Sequence, residues 1–510
     1  MGNCSTSKSK SKRSFKDQAS IKILNDRRQI SKHTEMSYVE VAESYKTVRT
    51  NIDASTVDIK KVYDLDTKPL GEGHFGFVVL ARQLKTPNRQ FVAKIIEKEE
   101  MRNEIDFVIN EINLMRDTDH PNIVKFCETY SSKDRLYIIM EYLSGGTLKD
   151  FQKQRGVISE EIGKKIVFQM CLAVNHLHEK TVAHRDIKLE NFLFKEKGSL
   201  EIKLIDFGLA KNYGKDLMNS HIGTPYYAPP EILNNQVYDE RCDEWSLGVC
   251  IYKMLTGHYP FLGRDAFELF NKITADDINK KALKHLSKDA QSFIKSLLTK
   301  TAAKRKNVRE LLHHPWLVDY HVEFFELSTQ QINPALFDNI ISVIKINEFG
   351  VQLLKILINF FPRPKDYDSV MRAFFCADYS LTGFITTKAL VKFFNEYERE
   401  LNEDSVKALI QGLCLYEEGF FTFSEFMVAG IDRRDWIINQ GLIPMLFDFL
   451  DVDGSSIVTV QSLTELFRRF GHMIDKAYIE KLIKFMGDEV LDKGFDFKTF
   501  ERFMYNNFFG

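Results

Sequence analysis

The run His184-Arg185-Asp186-Ile187-Lys188-Leu189-Glu190-Asn191, followed by Asp206-Phe207-Gly208, sets a carboxylate, an ammonium, a carboxamide and a second carboxylate in a fixed order. A positioned carboxylate can take the proton of a hydroxyl, and hard oxygen donors suit magnesium. Phosphoryl transfer asks for position and charge more than for covalent chemistry, and this set can supply both. Either tripeptide alone would be common, so the weight rests on their order and on partners upstream. Those partners are present. Leu70-Gly71-Glu72-Gly73-His74-Phe75-Gly76-Phe77-Val78 holds G-x-G-x-x-G-x-V between two stretches that read as β-strands, where a side chain would keep backbone N–H groups from phosphate oxygens. The next strand, Phe91-Val92-Ala93-Lys94-Ile95-Ile96, carries Lys94. A helical stretch from Asn103 to Met115 carries Glu111 and is closed by His120-Pro121-Asn122-Ile123.

Together these motifs resemble the serine/threonine protein kinases, over about half the chain. The resemblance implies that Asp186 accepts the acceptor hydroxyl's proton and that Lys188 assists it. Asn191 and Asp206 would hold Mg²⁺, and Lys94 would bridge ATP phosphates and Glu111. Residues 70–78, with Glu141 and Leu143 of the hinge after a gatekeeper Met140, would contact the nucleotide. Met115, Phe126, His184 and Phe207 would stack as a column joining two lobes. Gly223-Thr224-Pro225-Tyr226-Tyr227, Pro229-Pro230-Glu231, Asp243-Glu244-Trp245-Ser246-Leu247-Gly248 and Arg305 with His314-Pro315-Trp316 continue the pattern, with Arg305 expected to pair with Glu231. Val92 and Pro229 replace the usual alanines. Thr147 stands where many relatives carry a glutamate that reads a basic substrate residue, while Glu190 remains.

A chain of 510 residues exceeds what one core usually serves. Net charge of −1 argues against nucleic acid as a partner, because no basic excess exists to displace counterions from phosphates. Seven cysteines without paired spacing read as reduced thiols. Met1-Gly2-Asn3-Cys4-Ser5-Thr6 matches the pattern for myristoylation of Gly2, with Cys4 as a palmitoyl acceptor and Lys8, Lys10, Lys12, Arg13 and Lys16 as a basic run. The expectation is a cytoplasmic protein associated peripherally with membrane.

After Trp316, apolar residues recur at helical spacing from Leu336 to Phe361, stopped by Pro362-Arg363-Pro364. From about Tyr367, Ile385, Phe421, Val458 and Phe495 are spaced 36, 37 and 37 apart, and Leu390, Phe426, Leu463 and Phe500 follow each by five. That register corresponds to four EF-hands. The whole resembles the calcium-dependent protein kinase family, in which such a junction either blocks the kinase lobe or is captured by the calmodulin-like domain. The expected fold is thus a bilobal α+β kinase followed by an all-α calmodulin-like domain. Its parts are an N-terminal segment (1–60), the kinase (61–316), a junction (317–365) that docks with the tail on the kinase, and two EF-hand lobes (366–432 and 433–510).

Calcium is another matter. It wants six to eight oxygens, with an acid at loop position 1 and a bidentate glutamate at position 12. Loop one has Asp378, Ser380, Thr382 and Gly383 but Ala389 at position 12. Loop two has Glu425 there but Cys414 and Tyr416 at positions 1 and 3. Loop three offers Asp451, Asp453 and Ser455, then Ser456 and Ser462. Loop four offers Asp488 and Asp492, then Lys493 and Thr499. The expectation is weak or lost calcium binding, loop three being the best candidate. Two other readings stand beside the regulated kinase acting on protein substrates: a membrane-bound pseudokinase scaffold, and a kinase fully switched by calcium.

Overall fold

The computed structural model describes residues 54–509 apart from 56, 74–75, 87–88, 100–104, 213–217, 219–224, 414–418 and 471–475. Gly2, Cys4 and the basic run, His74 and Phe75 of the glycine loop, Thr224, the activation-loop Ser220 (the one obvious phosphoacceptor expected between Asn212 and Ile222), and Cys414 and Tyr416 lie outside the described residues.

Five antiparallel strands form the first sheet: β1 (Tyr63–Gly73), β2 (Gly76–Gln83), β3 (Gln90–Glu97), β4 (Phe126–Ser131) and β5 (Arg135–Glu141), in the spatial order β1-β2-β3-β5-β4. Strand periodicity sends Val92 and Lys94 to one face of β3 and Phe91 and Ala93 to the other. Helix Ile105–Asp117 carries Glu111, Ile112 and Met115 on its buried side. Helices Glu160–Glu179 and Arg241–Thr256 are buried over most of their residues, as helices central to a lobe must be. Ser159 caps the first of them, its hydroxyl accepting from the Ile162 N–H.

The helix that starts at the expected end of the kinase domain runs on into the junction. Helix Pro315–Thr329 begins with proline in its first turn and continues well past it, because Leu317, His321, Phe325 and Ser328 extend one buried stripe. The single junction helix expected from Leu336 to Phe361 is instead two, Ala335–Ser342 and Glu348–Phe360. The break has a local cause: the Asn347 side chain accepts from the Gly350 N–H at 2.8 Å and starts a new helix.

The C-terminal region is helical, built from helix–loop–helix units. Helices Tyr367–Ala377 and Thr387–Glu396 face Glu403–Leu413 and Phe423–Gly430, their loops joined by pairing of Ile385–Thr386 with Phe420–Phe421. Helices Leu442–Leu450 and Val460–Arg469 face Lys476–Ile483 and Phe497–Phe509, joined by a bridge between Val458 and Phe495. The four repeating apolar residues at the loops are therefore the pairing positions, and all are buried. Loop four departs from expectation. Asp488 and Asp492 lie on a short helix, Asp488–Lys493, so their backbone does not wrap a central point.

Candidate functional site

Two elements hold the catalytic run in place from behind. Asp243, at the start of helix Arg241–Thr256, is fully buried and accepts from the backbone N–H groups of His184 (2.7 Å) and Arg185 (2.8 Å) and from His178 Nε2 (3.0 Å). Burial alone would disfavour the imidazolium, but the adjoining Glu244 and Asp243 carboxylates outweigh it and lift the His178 pKa to about 10. The pair also lets Arg185 sit at φ 65°, a conformation costly for a non-glycine residue, so that the turn presents Asp186 to the cleft.

Asp186 Oδ2 receives the Lys188 ammonium at 2.5 Å and the Asn191 Nδ2 at 3.0 Å. Asn191 Nδ2 also donates to the Asp186 carbonyl at 2.8 Å, so its own Oδ1 is oriented away from that residue. Across the cleft Lys94 donates to Glu111 Oε1 at 2.5 Å and stands 3.7 Å from Asp206 Oδ1. Burial opposes the charge on Lys94, yet Glu111 and Asp206 outweigh it and its pKa is raised. Asp206 is held below the usual carboxylate range: burial works against ionisation, and Lys94, then His184, win. Its φ of 66° is the second strained turn of the cleft, and it turns the carboxylate toward Lys94.

Met115, Phe126, His184 and Phe207 are all buried, with the His184 and Phe207 rings 5.5 Å apart. Arg305 meets Glu231 in a bidentate pair at 2.8 and 3.1 Å. The described part of the glycine loop separates two uses of glycine. A Cβ on Gly71 would stand in open space, the clearance a phosphate needs, whereas one on Gly76 would lie 1.9 Å from the Ile95 carbonyl oxygen and would disrupt the β2–β3 pairing. Leu70 is exposed and Leu143 buried, while Phe77 and Val78 pair with Ile95 and Lys94. The hinge residue Glu141 turns its side chain backward, where it accepts from Lys203 (2.6 Å) and from the Lys125 N–H (2.7 Å). What the hinge offers on its cleft side is backbone.

That backward side is covered by the junction and tail; their docking on the kinase was expected, but not this place for it. Arg89, at the start of β3, donates to the carbonyls of Ile358 (2.9 Å) and Phe361 (2.8 Å), the free acceptors at the end of helix Glu348–Phe360. Phe91 packs on Phe360, which in turn meets Phe449 and Phe470. Arg363 lies 4.0 Å from Glu141. Lower down, Asn175 and His176 donate to the Leu381 and Thr382 carbonyls, each at 2.8 Å, and Gly383 sits so close that a Cβ would lie 2.5 Å from His176 Nδ1. Asp119 accepts from the Ser424 N–H at 2.8 Å. The junction is thus captured between tail and catalytic domain on the hinge side.

Residues 65–317 match the family model described as "Protein kinase domain". This geometry is that of a serine/threonine protein kinase. Over 421 residues the chain is 31% identical to "Calcium-dependent protein kinase 3" of Plasmodium berghei (strain Anka), covering 81% of this chain and 74% of that protein. It is 31% identical over 465 residues to "Calcium-dependent protein kinase 5" of Plasmodium falciparum (isolate 3D7), covering 88% and 78%. "Myosin light chain kinase A" of Dictyostelium discoideum is 36% identical over 265 residues, 51% of this chain and 89% of that protein. The chain belongs to the calcium-dependent protein kinase family. ATP and Mg²⁺, which membership implies, fit the donor set: Asp206 and Asn191 supply hard oxygens, and Lys94 a cation fixed between two carboxylates.

Proposed function

We propose that this serine/threonine kinase works with its tail docked on the hinge side whether or not calcium is present, and that acyl groups on Gly2 and Cys4 hold it peripherally at a membrane. Asp186 would take the acceptor hydroxyl's proton while Lys188 steadies the carboxylate. Asn191 and Asp206 would hold Mg²⁺ on phosphates that Lys94 also contacts. Phosphoryl acceptors are protein serines or threonines. The lipid part of this reading rests on the motif at Met1-Gly2 alone. Failure of the parent chain to take up labelled myristate, with Gly2→Ala as the blank, would refute it.

One observation carries the calcium part: the oxygens that calcium would take already receive donors from the chain itself. In loop one, Asp378 accepts from the N–H groups of Gly383 (2.6 Å) and Thr382 (3.2 Å) and from the Ser380 hydroxyl (3.0 Å), and Ala389 closes the loop. In loop two, Glu425 is spent on its own helix, accepting from the Thr422 N–H at 3.0 Å, and on Lys355 of the junction at 3.3 Å. In loop three, Asp451 accepts from the N–H groups of Ser455 and Ser456, and the Lys85 ammonium, held on the carbonyls of Asp448 and Asp451, places a positive charge beside the loop. There Ser462 closes a helix cap with Thr459 where a bidentate carboxylate would be needed. Asp451, Asp453 and Ser455 remain the best ligand set and still fall short of six oxygens.

Calcium would therefore have to displace Lys355 in loop two and approach Lys85 in loop three, in each case for an incomplete ligand set. Calorimetric titration of the full chain should give no site in the range of roughly 10⁻⁷ to 10⁻⁵ M. Two or more such sites would overturn the reading.

A further inference from the structure

In the helical lobe, helix Lys288–Leu297 and the turn that follows bring Lys288, Lys295, Lys304 and Lys306 around one shallow depression, with Ser292 and Thr299 between them. All four lysines are exposed, and among the described residues none has an ion-pair partner. No carboxylate lines the depression. The segregation is local. Between Asp276 and Glu310 the chain holds ten lysines and arginines against four acids, although the whole protein carries a net charge of −1. Of the other six cations of this stretch, four have occupations: Arg305 binds Glu231, Arg309 stands 3.6 Å from Glu179, Lys280 pairs with Asp277, and Lys300 donates to the Ile273 carbonyl. His314 nearby is harder to protonate than usual, through burial and then through Lys306, which fits a positive local potential.

We propose that this basic face seats the kinase on an anionic lipid surface. Its chemistry is that of a diffuse negative field. Four lysines on flexible stems are point charges, without the arginine forks that read a single phosphate bidentately. The helix's inward residues, Phe293, Ile294 and Leu297, are buried in the lobe, so the lysines can change partners without unfolding it. A single acyl chain binds membrane only marginally and needs a second signal. The seat complements the acylated N-terminus proposed above, and it fixes which side of the catalytic domain faces the bilayer. Each lysine near an anionic leaflet should contribute roughly fivefold in partitioning.

The test uses the full chain carrying Gly2→Ala, so that acylation cannot contribute, sedimented with vesicles of phosphatidylcholine alone or with about one third phosphatidylserine. The parent should prefer the anionic vesicles, the more so at low salt. Lys288→Glu, Lys295→Glu, Lys304→Glu and Lys306→Glu together should cut that preference at least tenfold, leaving peptide phosphorylation and the melting profile unchanged. The same four positions changed to arginine should retain binding; loss there would overturn a charge-based seat. Sedimentation of the glutamate variant like the parent would overturn it. So would loss of binding on neutralising Lys8, Lys10, Lys12, Arg13 and Lys16 alone, or release by millimolar phosphopeptide, which would assign the face to a protein partner.

Discussion

The catalytic cleft and the calcium loops are built from the same side chains, and the fold spends them oppositely. In the cleft, two strained turns at Arg185 and Asp206 hold carboxylates beside lysine ammoniums, Asp186 beside Lys188 and Asp206 beside Lys94. In the tail, Asp378, Glu425 and Asp451 have each been closed by hydrogen bonds from their own loop, helix cap or junction. What separates a site from a structural turn is thus less the presence of acids than which donors meet them: chiefly lysine and asparagine side chains in the cleft, chiefly the loop's own backbone N–H groups around Asp378 and Asp451.

Removing the cleft's base should have the largest effect. Asp186→Asn keeps the shape and the Asn191 contact but cannot take a proton, so peptide labelling should fall by about 10²–10⁴-fold. Full activity in that variant would place the base elsewhere. On the tail side, Arg89→Ala leaves the Ile358 and Phe361 carbonyls without their charged donor, and docking should weaken by about 1.5–3 kcal/mol. Limited proteolysis should then cut between residues 330 and 366 faster, with the cleft's nucleotide affinity reduced through Phe91 and Val92. An unchanged cleavage rate would mean that Phe360 and His176 suffice.

The back face should also titrate. Burial drives the His176 pKa down to about 3, and drives His120 well below its ordinary 6.5, with His176 adding to the effect. Docking therefore favours neutral rings. Its contribution is complete above pH 6.5 and is lost below, as released rings take protons that docked rings refuse. At pH 5.5 each ring that undocking exposes should cost up to about 1.4 kcal/mol. Proteolytic susceptibility that does not rise between pH 7.5 and 5.5 would contradict this. The smallest change is expected from Lys85→Met, about 1 kcal/mol or less, because that lysine is half in solvent. It sharpens the comparison by removing a positive charge from beside loop three: if that charge is what keeps calcium away, the variant should bind it more tightly than the parent.

The residues of the cleft could be read from the sequence because their chemistry dictates type and spacing together. The 36- and 37-residue register could be read as well, since Ile385, Phe421, Val458 and Phe495 must be apolar to pair across loops. What could not be read is where the tail sits. Arg89, Lys85, Asn175 and His176 bind main-chain carbonyls 206 to 366 residues away, and a carbonyl leaves no trace of its role in the side chain that carries it. The junction break was closer to legible. Asn347 before Glu348 is a cap followed by an acid in the first turn, a stop-and-start signal overridden by the longer apolar stripe. Loop four misled for a related reason: Asp488 and Asp492 suit a ligand loop by position, yet at helix spacing they cost little on an exposed turn.

The most direct measurement is phosphorylation of a generic serine peptide by the full-length kinase with calcium and with chelator, beside Asp186→Asn. A cleft completed by its own lysines and a tail docked without metal give the same rate in both conditions, within about twofold, and almost none in the variant. A rate that collapses on chelation and returns with micromolar calcium would contradict the account.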